Sequence, residues 1–159
     1  MRIYLSGAIE YAPDHGRHWR AGLTPFLEAQ GHEVYDPALD AKKNLSDYEV
    51  EHFRSWKTTD LARFKVTVRK IIAYDLEWIE QRTDAVICYW DEHCMKGAGT
   101  QAELTFAHRW GLPVYLITPM PLEKISGWVL ACSSEVFCST AELQTYFEKK
   151  FTRQEVRAE

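Results

Sequence analysis

Residues 84–90, DAVICYW, limit what this chain can become more than any other stretch. Past the leading aspartate the run is apolar without interruption. A strand with one face in water alternates apolar and polar residues. A strand that does not alternate is covered on both faces, as in the centre of a parallel sheet. Parallel neighbours cannot be joined by a tight turn and need longer crossovers, usually helices. The flanking sequence meets that demand. Upstream, Leu61, Phe64, Val68, Ile71, Ile72, Leu76 and Ile79 recur at helical spacing. Residues 47–56 before them predict a separate helix, with Ser46 as a candidate N-cap. Downstream, a glycine-rich loop leads into a helix at about 99–110 and then into the apolar strand 113–117.

The rest of the chain repeats this alternation. Residues 2–7, RIYLSG, read as a buried first strand ending in a glycine turn. Within 15–31, Trp19, Leu23, Phe26 and Leu27 mark a helix stopped by Gly31, and Pro25 predicts a late start or a kink. Residues 32–37 form a short second strand, and 38–47 and 118–127 read as loops. A last strand at 135–138 precedes a helix at 139–151 capped by Ser139 or Thr140, and 152–159 are expected to be a flexible tail. The 159 residues thus describe one α/β domain, 1–151. Its five-stranded parallel sheet is expected in the order 2-1-3-4-5, a flavodoxin-like or Rossmann-like arrangement. Ligands of such sheets bind beyond the C-terminal strand ends, at the switch point. That edge carries Ser6, Gly7, Ala8, Asp36, Asp91 and Glu92, and the segment from Gly97 through Gly99 and Thr100 to Glu103.

Composition narrows the partners. A net charge of −4 argues against a nucleic-acid polymer. No apolar run approaches the roughly 20 residues that span a bilayer, so no membrane association is expected. The opening MRIYLSGAIE enters a strand pattern without an export signal, which predicts a cytoplasmic protein. Cys88, Cys94, Cys132 and Cys138 show no CxxC spacing and are expected as reduced thiols. The histidines form no HExxH, and neither GxGxxG nor a P-loop ending is present, so no metal and no cofactor are expected.

Three residues stand out chemically. Glu103, read in the first turn of its helix, is either a charge complementing the helix dipole or a carboxylate aimed at a ligand. Asp75 lies on or near the apolar stripe of the long helix. It either pairs with Arg82 or, if buried, has the raised pKa that suits a general acid. Tyr4 can face either side of the sheet, as a core residue or as a hydroxyl that orients a carboxylate.

Three segments, IYLSGAI at the first strand, AYDLEWIEQRTDAVI into the third, and GTQAELTFAHRWGLPVYLI, occur in an order and spacing that resemble the nucleoside 2-deoxyribosyltransferases and their relatives, the nucleotide N-glycoside hydrolases. The last segment is similar to that family's G-T-x-x-E-x-x-x-A pattern followed by a P-V strand. The resemblance implies Glu103 as nucleophile, Asp75 as the aspartate assisting proton transfer to the base, and Tyr4 as the tyrosine orienting the nucleophile. It implies a nucleoside or nucleotide and a free nucleobase as partners. Where the transferases often carry a sugar-binding aspartate, this chain has Gly97, and Asp91 or Glu92 stand close enough in sequence to substitute. Where a neighbouring subunit lends an asparagine, it has Ser133, Ser134 and Glu135. A homo-oligomer with shared sites is therefore expected, with 47–78 as a candidate interface. Transfer to a second base is the first expectation. Hydrolysis of a 5′-monophosphate, held by Lys96, Arg17 or Ser134, is the second, and a non-catalytic nucleotide sensor the third.

Overall fold

The computed structural model describes residues 1–155. Five strands, β1 (Arg2–Gly7), β2 (Glu33–Tyr35), β3 (Ala85–Tyr89), β4 (Val114–Ile117) and β5 (Glu135–Phe137), form one sheet in the order β2-β1-β3-β4-β5. Every neighbouring pair is parallel. This is the expected α/β, flavodoxin-like topology. The switch point falls between β1 and β3, where Tyr4 pairs with Val86 and Ser6 with Cys88.

Side chains alternate across a strand, and the two sheet faces sort accordingly. Ile3 and Leu5 of β1 and Ile87 of β3 pack with Leu23 and Leu27 of α1 (Arg17–Ala29) and with Leu143 and Phe147 of α6 (Thr140–Glu155). Tyr4, Val86 and Cys88 pack on the opposite face. They meet Ile79 of α3 (Leu61–Arg82), Leu104 of α4 (Gly99–Arg109) and Val129 of α5 (Gly127–Cys132). Alternation thus sends Tyr4 to the face shared by α3 and α4.

Ser46 caps α2 (Asp47–Thr59) through a reciprocal capping box with Glu49, as expected for that serine. Helix α1 starts at Arg17 and runs through Pro25, so the proline falls inside the helix and not near its start. The position is tolerated because Pro25 and Ala21, whose carbonyl loses its donor, both face water. Helices α2 and α3 form a hairpin, clasped by the Lys70–Glu49 ion pair (2.6 Å) and by Arg63 over the Trp56 ring (3.9 Å). The periodic stripe of α3 does not all become core. Leu61 and Ile72 are 55% and 51% exposed, because the first half of α3 packs mainly on α2 and only its later turns, with Asp75 and Ile79, reach the sheet.

Helix α5 lies where only loop and unassigned sequence was expected. Helix α6 continues to Glu155, past residue 151 where the expected tail begins, and residues 156–159 of that tail lie outside the described residues. Among the described residues no helix is long and apolar enough to cross a membrane.

Candidate active site

Glu103 does not belong to the first turn of its helix. Helix α4 begins at Gly99, no acidic residue occupies its first turn, and Glu103 opens the second. The dipole favours charges chiefly within the first turn, so helix capping does not explain this carboxylate. Its partners come from the sheet. Tyr4 Oη donates to Glu103 Oε1 at 3.0 Å, and Ser6 Oγ donates to Oε2 at 2.5 Å. Residues 4 and 6 share a face because strand side chains repeat every second residue, so one strand holds both oxygens of one carboxylate.

Glu103 keeps part of its surface open, yet its carboxyl is crowded by protein. Burial pushes it up to about 7, the charge of Asp75 adds to the rise, and the hydrogen bonds from Ser6 and Tyr4 oppose it. Tyr4 is fully buried, and burial followed by the Glu103 charge holds its phenol well above the usual range, keeping it a proton donor. Burial also raises Cys88, the neighbour of Ser6, which therefore stays a neutral thiol.

Asp75 is buried on α3 and does not pair with Arg82, whose partner is Glu77 at 3.6 Å. Its partner is Lys43, with Nζ 2.8 and 2.9 Å from the two carboxylate oxygens. Burial raises the Asp75 carboxyl and the Lys43 charge opposes that rise. An aromatic wall adjoins the pair, with Tyr35 stacked on Trp78 at 3.9 Å and tilted against Tyr4 at 5.5 Å.

The remaining expected residues divide by location. Gly7 and Asp36 are held by Arg20, whose guanidinium is wholly buried. It donates to the carbonyls of Leu5, Gly7 and Gly16 and lies 3.3 Å from Asp36. Asp36 is thereby committed to the frame of the sheet edge. Gly16 must be glycine: its φ is +71°, and a Cβ there would collide with Arg20 and the Ala8 carbonyl. Asp91 accepts from the backbone N–H of His93 and Cys94, and Glu92 is exposed. Thr100 is buried beside the Cys94 thiol, and Gly99 has open space around it. A Cβ at Gly97 would touch the Tyr11 ring at 3.4 Å, so Tyr11 fills the space next to the position where a sugar-binding side chain was expected. Tyr11 is in turn beside Lys57, which bonds Glu10 at 2.8 Å and straps the β1–α1 connection to α2.

Ser134 is elsewhere. Its Oγ accepts from the backbone N–H of Val114, at the start of β4. In a parallel sheet the strand starts lie at the edge opposite the strand ends, so within one chain Ser134 cannot join Glu103. A cavity of about 220 Å3 borders the correct edge, lined by Ala8, Asp14, Trp19, Tyr89, Asp91 and His93 among others. It opens on the α1 side of the sheet and includes neither Glu103 nor Asp75, so the site is defined by its side-chain chemistry and not by that hollow.

Sequence reasoning missed Lys43, Arg20 and the bond from Ser6 to Glu103. Arg20 had a signal, since it precedes Leu23 and Leu27 by three and seven residues on the buried stripe of α1. Lys43 had none, because it lies in a loop without periodicity.

No protein-family model matches the sequence, and no curated protein does. Solved structures do match. A 2-deoxyribosyltransferase from Bacillus psychrosaccharolyticus superposes with a TM-score of 0.60 at 20% identity, covering 92% of both chains. A 2-deoxyribosyltransferase from Leishmania mexicana gives 0.56 at 16% identity, over 94% of this chain and 97% of that one. The CMP N-glycosidase BcmB of Clostridium botulinum gives 0.54 at 15% identity, over 93% and 99%. At these identities the likeness is one of fold, and it extends across nearly the whole chain.

Proposed function

We propose that this protein cleaves the N-glycosidic bond of a nucleoside or nucleotide through a glycosyl ester on Glu103, and passes the sugar to a second base. The observation that carries the reading is the carboxylate held at both oxygens by Tyr4 and Ser6, with the buried Asp75 near enough for its charge to raise it. Breaking the bond from C1′ to the base leaves an oxocarbenium-like centre that a carboxylate can capture, while the departing base takes up a proton. A second base, or water, then resolves the ester, following the logic of retaining glycosidases. The hydroxyls of Tyr4 and Ser6 orient Glu103 and favour its ionised form. The sequence resemblance and the fold shared with two 2-deoxyribosyltransferases support transfer as the reaction.

Hydrolysis of a nucleoside monophosphate is the second reading, supported by the fold shared with a CMP N-glycosidase. Lys96 and Arg17 are exposed cations on segments that follow β3 and β1, suitable for a phosphate. Deoxynucleosides and deoxynucleoside monophosphates incubated with and without a free acceptor base separate the readings. Base exchange that requires acceptor supports transfer. Free base from the monophosphate alone supports hydrolysis. Binding without turnover of any substrate contradicts both and leaves a sensor.

A further inference from the structure

A lysine is delivered into this site by a loop. Asp40 accepts hydrogen bonds from the hydroxyls of Tyr35 (3.0 Å) and Tyr74 (2.8 Å), and its other oxygen accepts the backbone N–H of Lys43 (3.3 Å). Lys43 adopts a positive φ of 37°, a region that residues with a Cβ seldom occupy. The result is an ammonium only 8% exposed against a carboxylate only 9% exposed. Burying such a pair is expensive, and apolar residues of similar size often serve stability as well or better. A strained backbone that brings a charge among buried polar side chains is a pointer to function.

The geometry of the pair also singles out the lysine. Lys43 Nζ donates to Asp75 Oδ2 and stands 2.8 Å from Oδ1, so an ammonium faces both oxygens. Of the two groups, the lysine ammonium is the one with several N–H donors, three against at most one on a carboxyl. Among the described residues Asp75 is the only hydrogen-bond partner of Nζ, which leaves N–H capacity for a ligand. The pair is linked to the proposed nucleophile through Tyr4, which bonds Glu103 and packs on Tyr35 at 5.5 Å, and through Tyr35, which bonds the same Asp40 that holds the Lys43 backbone.

We propose that Lys43 is the acid that protonates the departing base and that Asp75 positions it. The inference rests on the reading of the protein as an N-glycosyl-cleaving enzyme. In the first step the bond from C1′ to the base nitrogen breaks and its electron pair stays with the base. The base takes a proton from Lys43 Nζ at a ring nitrogen or carbonyl oxygen, and a Glu103 oxygen bonds to C1′. Lys43 is left as a neutral amine beside the Asp75 carboxylate. In the second step the incoming base or water gives a proton to Lys43 as it attacks C1′, and Glu103 leaves as a carboxylate.

The test is the dependence on leaving group, which a merely structural lysine would not alter. The wild type, Lys43→Met, Lys43→Arg and the double variant Lys43→Met/Asp75→Asn are assayed on two kinds of deoxynucleoside. One kind carries an ordinary base. The other carries a nitro-substituted base that departs as a stable anion without a proton. Loss of a general acid is expected to lower kcat by roughly 10²–10⁴-fold on the ordinary base, and by less than about tenfold on the nitro base. Arginine keeps the charge but does not release its proton, so Lys43→Arg is expected to behave like methionine. The double variant leaves no buried unpaired charge and carries the test if Lys43→Met alone fails to fold. Equal losses on both substrates, or no loss on the ordinary base, overturn the role of Lys43 while leaving Glu103 chemistry standing. A wild type that cleaves neither substrate overturns the underlying reading as well.

Discussion

Ser6 and Glu103 are 97 residues apart in sequence and joined by a hydrogen bond of 2.5 Å. With Tyr4 on the other oxygen, the carboxylate of α4 is fixed by two hydroxyls of β1. Any rotation of the carboxylate away from this position would break one or both of these bonds. Replacing Glu103 with Ala or Gln is expected to lower kcat by at least ~10³-fold, in the range seen when a nucleophile is removed, with an unchanged far-UV circular dichroism spectrum. Wild-type rates in either variant, measured by chromatography of released base, would exclude Glu103 as nucleophile.

The two hydroxyls lower the pKa of Glu103, so their removal should raise it. The wild type is expected to gain kcat/KM as pH rises through about 7, where Glu103 ionises. In Tyr4→Phe and Ser6→Ala that limb should move to higher pH, with kcat reduced on the order of 10-fold, the equivalent of a hydrogen bond to a charged group. A pH profile that keeps its wild-type midpoint in both variants would show that the hydroxyls do not act on this carboxylate.

The same burial makes stability depend on pH. Glu103 is raised from 4.5 to about 7 in the folded protein, so the folded state holds this proton more tightly than the unfolded chain. Its contribution is fully present below pH 4.5 and is lost as pH rises through about 7. The rise corresponds to roughly 3 kcal/mol. Glu103→Gln mimics the protonated form and keeps that contribution. Chemical denaturation at pH 8.5 should therefore find Glu103→Gln more stable than the wild type, with the gap closing toward pH 5. A constant gap across this range would mean that Glu103 is not buried as described.

Arg20 joins the ends of β1, the start of α1 and Asp36 through one buried guanidinium. Truncating it removes the cation beside Asp36 and a donor from each of three carbonyls. Arg20→Ala is expected to lower the unfolding free energy by roughly 3–5 kcal/mol, as for other broken buried pairs. Arg20→Ala combined with Asp36→Ala should recover part of the loss, because the unpaired carboxylate is gone. Urea titration of both variants measures it, and an additive double variant would show that the pair is uncoupled.

The sheet was legible because two periodicities rarely mislead when they alternate: the unbroken apolar run of β3 and the helical spacing around it leave few other arrangements. Element ends and short elements were less legible. Helix α5 has six residues, begins at a glycine and exposes Trp128, so no stripe announced it. Leu61 and Ile72 read as core by spacing yet lie on an outward hairpin, since periodicity reports a face and not what covers it. In the site, Glu103, Asp75 and Tyr4 stand out in the sequence by their position and chemistry, and the resemblance to a motif adds the roles they would play. Lys43 depends on a left-handed loop residue and on contacts 32 residues away, neither of which is written locally. Ser134 lies at the strand-start edge, so within one chain it is apart from Glu103, and sequence position alone does not reveal which edge a residue occupies.

The most direct test is to find the sugar on the enzyme. A deoxynucleoside is mixed with the protein without acceptor base, quenched in acid and digested, and the peptide spanning α4 is sequenced by mass spectrometry. A deoxyribosyl adduct on Glu103, absent in Glu103→Gln and discharged by added base, is the predicted result. Release of free base with no adduct, at a rate that Glu103→Gln retains, would contradict it.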